Sequence, residues 1–181
     1  MVFMKQCSSS RAAGWRPGLA IATLALSVWL GLTDAAAQAG ACQGLGKQAV
    51  LERVNALREA GALCGNLGHF VPAAPLEWNA DLEAAALTQA RWLAQAGRLM
   101  HLGPQGETLS QRATAAGYRF RRVTENLALG QRDVPKVLSD WTRSDTHCAN
   151  LYDSRVTEMG LVCVRATDGR PVWVLVMGRP L

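Results

Sequence analysis

The sequence contains little of what familiar catalytic and nucleic-acid-binding sites require. Its 181 residues include three histidines, two tyrosines and three phenylalanines, at a formal net charge of +5. No HExxH zinc motif and no GxSxG serine turn occurs, which argues against the common metalloproteases and serine hydrolases. Basic residues are spread along the chain except for Arg119, Arg121 and Arg122. With so few Phe and Tyr, we expect no nucleic-acid partner, and we expect RFRR to be a solvated strand edge.

Long apolar runs are also rare, and the one present lies near the start of the chain. Leu19–Leu32 is apolar and uncharged, it follows the basic residues Lys5, Arg11 and Arg16, and small residues come soon after it. This three-part layout is typical of a secretory signal peptide. The run has 14 residues, whereas a membrane-spanning helix needs about 20. The layout therefore predicts export rather than a membrane span.

The same layout predicts the domain boundaries. Cleavage after Ala37 or Ala39 satisfies the preference for small residues at the cleavage site. We assign residues 1–37 to the signal peptide, 38–46 to a short N-terminal segment and 47–181 to one folded domain. Since no later segment is apolar for long enough to span a membrane, we expect the mature chain to be secreted or periplasmic.

Two other interpretations of the N-terminus are weaker. A retained N-terminal anchor needs a longer apolar run than the chain has. A lipoprotein would be acylated at Cys42, but AGAC lacks the usual Leu at its start and lies well past the apolar run.

Cysteine content agrees with export. One of the five cysteines, Cys7, lies in the predicted signal peptide, which leaves Cys42, Cys64, Cys148 and Cys163. An even number in an exported chain predicts two disulfides, and the sequence permits three pairings. We prefer Cys42–Cys64 with Cys148–Cys163, because the first pair brackets the first helix and the second flanks the segment between a late helix and a strand. A four-cysteine metal site is the alternative, but the chain has no CxxC pair.

Apolar periodicity and capping residues predict four helices and a further helical turn. The prolines make 68–75 an extended linker, and Tyr118–Leu127 alternates enough to be a distorted strand. The predicted helices cover Lys47–Leu63, Asn79 to Gly97, Thr108–Ala116 and a segment that starts at Asp133, and the helical turn lies in 144–150.

The C-terminal region gives the clearest local prediction. Two β-branched, apolar runs, 159–167 and 171–177, are joined through Asp168-Gly169. Asp-Gly between such runs is typical of a hairpin with a type I′ turn. Because both runs are almost continuously apolar, both faces of their sheet need to be covered by helices. The predicted fold class is α+β, a three-layer α-β-α sandwich with an antiparallel sheet.

The residues able to carry chemistry are histidines and carboxylates. His69 lies in the linker and is expected at the surface, whereas His101 begins the loop after the second helix and His147 lies in the late helical turn. Glu125 lies within VTENLAL and Glu158 opens an apolar strand, where a carboxylate is costly to bury without a partner. Two imidazoles and two carboxylates that converge can bind a divalent metal or share protons. Taken singly, each residue is better explained as a satisfied structural side chain.

Eight segments, taken together and in order, favour a functional interpretation of these residues over a purely structural one. They resemble the CAP superfamily, or SCP domain, which includes cysteine-rich secretory proteins, antigen 5 and plant pathogenesis-related proteins. The resemblance runs from about Leu51 to Gly178 and is closest to the bacterial secreted branch. The segments are RVNALR (53–58), LEWNADLEAAA (76–86), MHLGPQGETLSQR (100–112), AAGY (115–118), TENLALG (124–130), DWTRSDTHCAN (140–150), TEMGL (157–161) and VWVLVMG (172–178).

The resemblance implies a site as well as a fold. It implies that the family's histidine–glutamate tetrad meets in one cleft, and the matching residues here are His101, Glu125, His147 and Glu158. The two histidines are then expected to hold a divalent ion, often zinc, with the glutamates as nearby acceptors. Asn150, about one helical turn from His147, is expected to be a supporting amide.

Three departures from the family pattern make the rim of the expected cleft more apolar. Met100 and Leu102 stand where the family usually has Ser and Thr, and Thr124 stands where it usually has Gly. We expect a secreted binding module that holds a divalent metal, zinc or another. Its further ligand is expected to be either a small apolar molecule such as a lipid or an extracellular partner protein. The alternative is a metal-dependent hydrolase of peptide or ester bonds, with Glu125 or Glu158 as general base. A third interpretation is a polar network that only fixes the fold.

Overall fold

A computed structural model describes Cys42 and residues 46–181. The predicted signal peptide, 1–37, and the rest of the short segment 38–46 lie outside the described residues. Among the described residues, no helix combines the length and the apolar character that a membrane crossing needs.

The first helix, α1, is Lys47–Ala60. It buries Val50 and Val54 on one stripe, as the apolar period predicts. It ends at Gly61, which has a φ of 66°, and not at Leu63 as predicted. The chain leaves the helical conformation at this glycine, and the next two residues form the strand β1, Ala62–Leu63.

The second helix, α2, is Ala80–Ala96 and has the predicted cap at each end. The side chain of Asn79 accepts hydrogen bonds from the amides of Asp81 and Leu82, and Gly97 takes the left-handed conformation. The helix buries an Ala-rich face, which lets neighbouring elements approach closely. Its buried members include Leu82, Ala85, Ala86, Ala90 and Leu93.

Three shorter helices follow, close to their predicted positions. Thr108 caps the first of them in a capping box with Gln111, and Asp133 caps the second by accepting from the amide of Lys136. The helices are α3, Leu109–Ala115, α4, Val134–Thr142, and α5, Asp145–Leu151.

The predicted linker contains short strands as well as extended chain. A 3-10 turn at Gly65–Leu67 leads to β2, His69–Phe70, which pairs with β1 in an antiparallel two-stranded sheet. Further along, β3, Glu77–Trp78, joins the main sheet.

The main sheet has four strands in the order β3-β5-β6-β4. The three long strands are β4, Phe120–Leu129, β5, Glu158–Arg165, and β6, Pro171–Pro180. They pair in antiparallel fashion, but β3 pairs with β5 in parallel. The sheet is therefore mixed, and the prediction of a fully antiparallel sheet is wrong at this strand. A two-residue strand after a proline-rich linker leaves no alternating pattern from which its pairing could be predicted.

The C-terminal hairpin is confirmed, but its turn differs from the predicted one. The amide of Gly169 bonds to the carbonyl of Ala166, so Thr167 and Asp168 occupy the centre of the turn. Gly169 follows with a φ of 82°, as in a three-residue hairpin loop that ends in a residue of left-handed conformation. The predicted type I′ turn centred on Asp168 and Gly169 is wrong by one residue.

Two apolar clusters lie on opposite faces of the sheet, which confirms the three-layer sandwich. On one face, α1, α4 and α5 pack against Met159, Leu161, Trp173 and Leu175. On the other face, α2 and α3 pack with Leu127, Val162, Val174 and Val176. Since side chains alternate between the faces of a strand, both faces of β5 and β6 are buried.

The disulfides join Cys42 to Cys163 and Cys64 to Cys148, so the predicted pairing is wrong. Each bridge links residues far apart in sequence, 121 and 84 positions, because tertiary packing and not sequence proximity sets the neighbours. The amide of Cys42 bonds to the carbonyl of Cys163, and the 3-10 turn after Cys64 packs on α5, which carries Cys148. The thiol of Cys42 is consumed by its bridge, which excludes lipid attachment at that sulfur.

Candidate functional site

A chain of three side chains forms the centre of the site. Glu125, in the middle of β4, accepts hydrogen bonds on both carboxylate oxygens. Nδ1 of His101 lies 2.8 Å from Oε1, and Nη2 of Arg112, on α3, lies 2.7 Å from Oε2. The side chains of Arg112 and Glu125 are 4% and 2% exposed, whereas that of His101 is 64% exposed. A buried ion pair thus holds one nitrogen of a solvent-facing imidazole.

The loop that carries His101 is tied down through its backbone. Arg112 donates from Nη1 to the carbonyl of His101 and to that of Glu107, each at 2.9 Å. From the other side, Nε2 of the buried Gln89, on α2, donates to the carbonyl of Met100 at 2.6 Å. Arg112 therefore fixes both the carboxylate and the backbone of the histidine that the carboxylate orients.

A pair of amides links His147 to the same strand. Asn126, the neighbour of Glu125 on β4, is fully buried and donates to the carbonyl of His147 at 2.9 Å. Asn150 donates to Oδ1 of Asn126 at 2.9 Å and to the carbonyl of Glu125 at 3.3 Å. The backbone of α5 at His147 is thereby held against β4 next to Glu125.

The two histidines respond differently to their surroundings. The hydrogen bond to Glu125 raises the pKa of His101 above its ordinary value, although burial and Arg112 act in the opposite direction. Burial lowers the pKa of His147, and the nearby His101 lowers it further. Both effects favour the neutral form of His147.

Glu158 belongs to a different contact. Its Oε2 accepts a hydrogen bond of 2.6 Å from the hydroxyl of the buried Tyr118. Burial and this carboxylate together raise the pKa of Tyr118. The tyrosine ring lies over Gly178, where an added Cβ would come within 2.6 Å of the ring.

The register of the strands explains why Glu158 is separated from Glu125. Glu125 lies opposite Val176 and Glu158 opposite Gly178, so the two carboxylates share a face of the sheet but lie two strands apart. Within the described part of the chain, no hydrogen bond joins Glu158 to His101, Glu125 or His147. The structure thus joins His101 to Glu125, holds the backbone of His147 beside the same strand, and pairs Glu158 with Tyr118.

The side chains near His101 limit the kind of metal site that they could form. Among the described residues, no group of three or more His, Cys, Asp or Glu side chains could hold an ion, so a closed four-ligand zinc site is excluded there. His101 keeps Nε2 free while Glu125 binds Nδ1, which is the support that metal-binding imidazoles usually have. His101 therefore offers one free and supported imidazole nitrogen.

The surroundings of His101 are apolar and shallow. Leu99 and Leu102 are 42% and 53% exposed, and Met100 packs partly into the α2 face. Four cavities of about 340, 470, 270 and 490 Å³ lie elsewhere and are lined by none of the four predicted residues. His101, whose side chain is 64% exposed, therefore lies at an accessible surface with exposed leucines beside it in the chain.

Arg112 and Asn126 are the functional residues that the sequence did not reveal. Arg112 ends the quoted segment 100–112, and Asn126 lies in TENLALG, so both were present in recognised segments. A signal existed for Arg112, since a buried carboxylate at Glu125 requires a cationic or donor partner, but there was none for Asn126, which donates to the carbonyl of His147. Sequence spacing gave no indication of which of 19 basic residues supplies the partner of Glu125.

Comparisons with known proteins agree with this architecture. The model of the CAP family, described as the cysteine-rich secretory protein family, matches residues 51–177. The chain therefore belongs to the CAP family. No curated protein matches the chain.

Solved structures with the same fold come from several organisms. An outer surface protein of Borrelia burgdorferi is 22% identical, with a TM-score of 0.63 over 75% of this chain and 92% of that one. An extracellular SCP-domain protein of Bacillus anthracis is 20% identical, with a TM-score of 0.59 over 73% of this chain and 39% of that one. NaASP2, crystallised with Zn²⁺, is 16% identical, with a TM-score of 0.50 over 75% and 80%. At these identities the likeness shows the fold, and this chain spans well under half of the Bacillus protein.

Proposed function

We propose that the protein is a secreted CAP-domain binding module in which His101 and His147 hold a divalent cation at an open surface site. The observation that carries the proposal is the buried Arg112–Glu125 pair, with 2.7 Å between Nη2 and Oε2. It presents His101 with Nδ1 bonded and Nε2 directed away from the carboxylate. A buried ion pair is costly to form, and here it orients one exposed imidazole.

Export is supported by three observations. The two disulfides are typical of an oxidising compartment. The N-terminal sequence has the layout of a signal peptide. The similar Bacillus protein is described as extracellular.

The cation is proposed to act as a link to a partner. Two imidazoles leave at least two positions of a tetrahedral zinc open, and NaASP2, which shares the fold, was crystallised with Zn²⁺. A bound cation would supply a positive charge and open coordination positions for a carboxylate, imidazole or thiolate of the partner. Leu99 and Leu102 would contact apolar groups beside it.

The hydrolase alternative has less support, because the carboxylate of Glu125 is fully engaged and Glu158 lies apart from it. Both oxygens of Glu125 already accept hydrogen bonds, from His101 and from Arg112. Glu158 accepts from Tyr118 and lies two strands away from Glu125. A general base must reach the proton that it removes; Glu125 has no oxygen without a hydrogen bond, and Glu158, whose bonded oxygen is Oε2, has no described bond to either histidine.

Zinc titration by calorimetry tests the proposal, with the third histidine as a matched control. Wild type and His69→Ala should bind zinc saturably and equally, since His69 is an exposed residue of β2. His101→Ala and His147→Ala should each bind at least about tenfold more weakly, through loss of one of two ligands. Equal zinc affinity in the His101→Ala, His147→Ala double variant, folded by circular dichroism, would overturn the proposal.

A further inference from the structure

A second site lies at the hairpin end of the sheet, away from the histidines. There a cavity of about 340 Å³ opens between the starts of α1 and α4 and the β5–β6 hairpin. Three arginines line it: Arg53 from α1, Arg132 from the turn before α4, and Arg165 from the end of β5. The volume lies in the range of small-molecule sites.

The positive charge of this cavity is only partly balanced. Asp133 is the one acidic residue that lines it, and both oxygens are engaged, Oδ1 by the amide of Lys136 at 2.8 Å and Oδ2 by Nε of Arg132 at 3.2 Å. The side chain of Arg53 makes no hydrogen bond or ion pair with the described residues.

Two further features favour an anion at this position. The first turns of α1 and α4 both contribute to the walls, and the N-terminal ends of helices carry partial positive charge. Arg132 is paired with Asp133 and Arg165 donates to the carbonyl of Gly169, so of the three lining arginines only Arg132 has a carboxylate partner among the described residues. A bound oxyanion would supply negative charge to the other two.

The number of guanidinium donors indicates which kind of oxyanion the cavity suits. A carboxylate has two oxygens and is matched by one guanidinium fork. A phosphate group presents three terminal oxygens and up to two negative charges, which suits a cavity lined by three arginines from separate elements. Val50, Val134 and the indole of Trp173 complete the walls and would face the carbon part of a phosphate ester.

We propose that this cavity binds the phosphate group of a small molecule through Arg53, Arg132 and Arg165. The site is independent of the proposed metal site, because no histidine lines the cavity.

A phosphate titration followed by NMR of backbone amides tests the proposal. Inorganic phosphate and glycerol phosphate are added separately at constant ionic strength, with chloride as the balancing anion. Saturable shifts are expected at Ala49 and Val134, two residues of the cavity wall. Tighter binding of glycerol phosphate would identify an ester as the ligand, and equal binding would identify free phosphate.

Substitutions at the arginines give the decisive comparison. Arg53→Gln and Arg165→Gln change exposed residues, so the fold should persist, and each should weaken phosphate binding about tenfold or more. Arg121→Gln, exposed and outside the cavity, should bind as wild type does, and so should His101→Ala. Shifts that chloride reproduces, or affinities that both arginine substitutions leave unchanged, would overturn the proposal.

Discussion

Glu125 is the residue on which the geometry of the histidine site depends. It is 5% exposed, yet it carries a charge-assisted contact on each oxygen. Removing one member of a buried ion pair leaves the other without compensation. The same side chain therefore contributes to the stability of the domain and to the orientation of His101.

Replacing this carboxylate should affect stability and zinc binding together. Glu125→Gln keeps the shape but removes the charge that Arg112 faces, so the free energy of unfolding should fall by about 3 kcal/mol. Urea denaturation measures this change, with exposed Glu77→Gln as the control that should stay within about 0.5 kcal/mol. A Glu125→Gln variant as stable as the control would contradict a structural role for the buried pair.

For a change at Tyr118 we expect a loss of stability without a loss of zinc affinity. Tyr118→Phe removes the donor to Glu158 and should lower the free energy of unfolding by about 1 kcal/mol. Its zinc affinity should equal that of wild type, because Glu158 has no described bond to the histidines. A clear loss of zinc affinity in Tyr118→Phe would mean that all four predicted residues act as one group.

At the level of single residues, the histidines and glutamates could be predicted as a site only from the order of the family segments. Spacing alone did not show that Glu125 contacts His101 or that Glu158 contacts Tyr118. Those contacts depend on the register of β4, β5 and β6, in which Glu125 and Glu158 lie opposite different residues of β6. Register is a property of paired strands and is not visible in one strand's sequence.

Among the elements, α5 is tied to the 3-10 turn by a covalent bond and by hydrogen bonds. The Cys64–Cys148 bridge fixes it to the 3-10 turn, and Asp145 accepts hydrogen bonds from the backbone and side chain of Asn66. Since His147 precedes Cys148 directly, this bridge also limits the movement of the histidine.

Removing each bridge separately should distinguish their roles. Cys64→Ser with Cys148→Ser should lower the free energy of unfolding by about 4 kcal/mol and weaken zinc binding several-fold. Cys42→Ser with Cys163→Ser serves as the matched control, because that bridge lies at the arginine-lined cavity and should leave zinc affinity unchanged. Equal zinc affinity in both double variants would show that the bridge does not position His147.

For helices and strands, features that depend on neighbouring residues could be predicted from the sequence, and features that depend on contacts between distant segments could not. The caps at Asn79, Thr108 and Asp133 and the C-terminal hairpin were predictable, because each depends on residues within a few positions. The disulfide pairing and the parallel β3–β5 contact were not, because both depend on how separate elements pack.

For the molecule as a whole, the continuous apolar character of β5 and β6 was enough to predict two covering helix layers. A second polar centre holds one of those layers in place. The buried Arg58 of α1 donates to the carbonyls of Leu151 and Asp153, and the carboxylate of Asp153 accepts from Arg122 and Arg155. This network ties α1, the end of α5 and β4 together.

The network predicts a loss of stability in acid. Burial acts to raise the pKa of Asp153, but hydrogen bonds from Arg155 and Arg122 hold it below its ordinary value of 3.8. A carboxyl whose pKa is depressed on folding adds stability above that ordinary value, and the contribution is lost as the pH falls through the folded-state pKa. The difference in unfolding free energy between wild type and Asp153→Asn should therefore shrink below about pH 4. A difference that stays constant with pH would contradict this assignment.

The central claim is that His101 and His147, and not His69, bind a divalent cation. Imidazole nitrogen NMR tests it most directly, since the chain has only three histidines to resolve. On addition of zinc, Nε2 of His101 and one ring nitrogen of His147 should shift saturably, while Nδ1 of His101 stays protonated against Glu125 and His69 is unchanged. Zinc-dependent shifts confined to His69, or no saturable shift at His101 and His147, would contradict the claim.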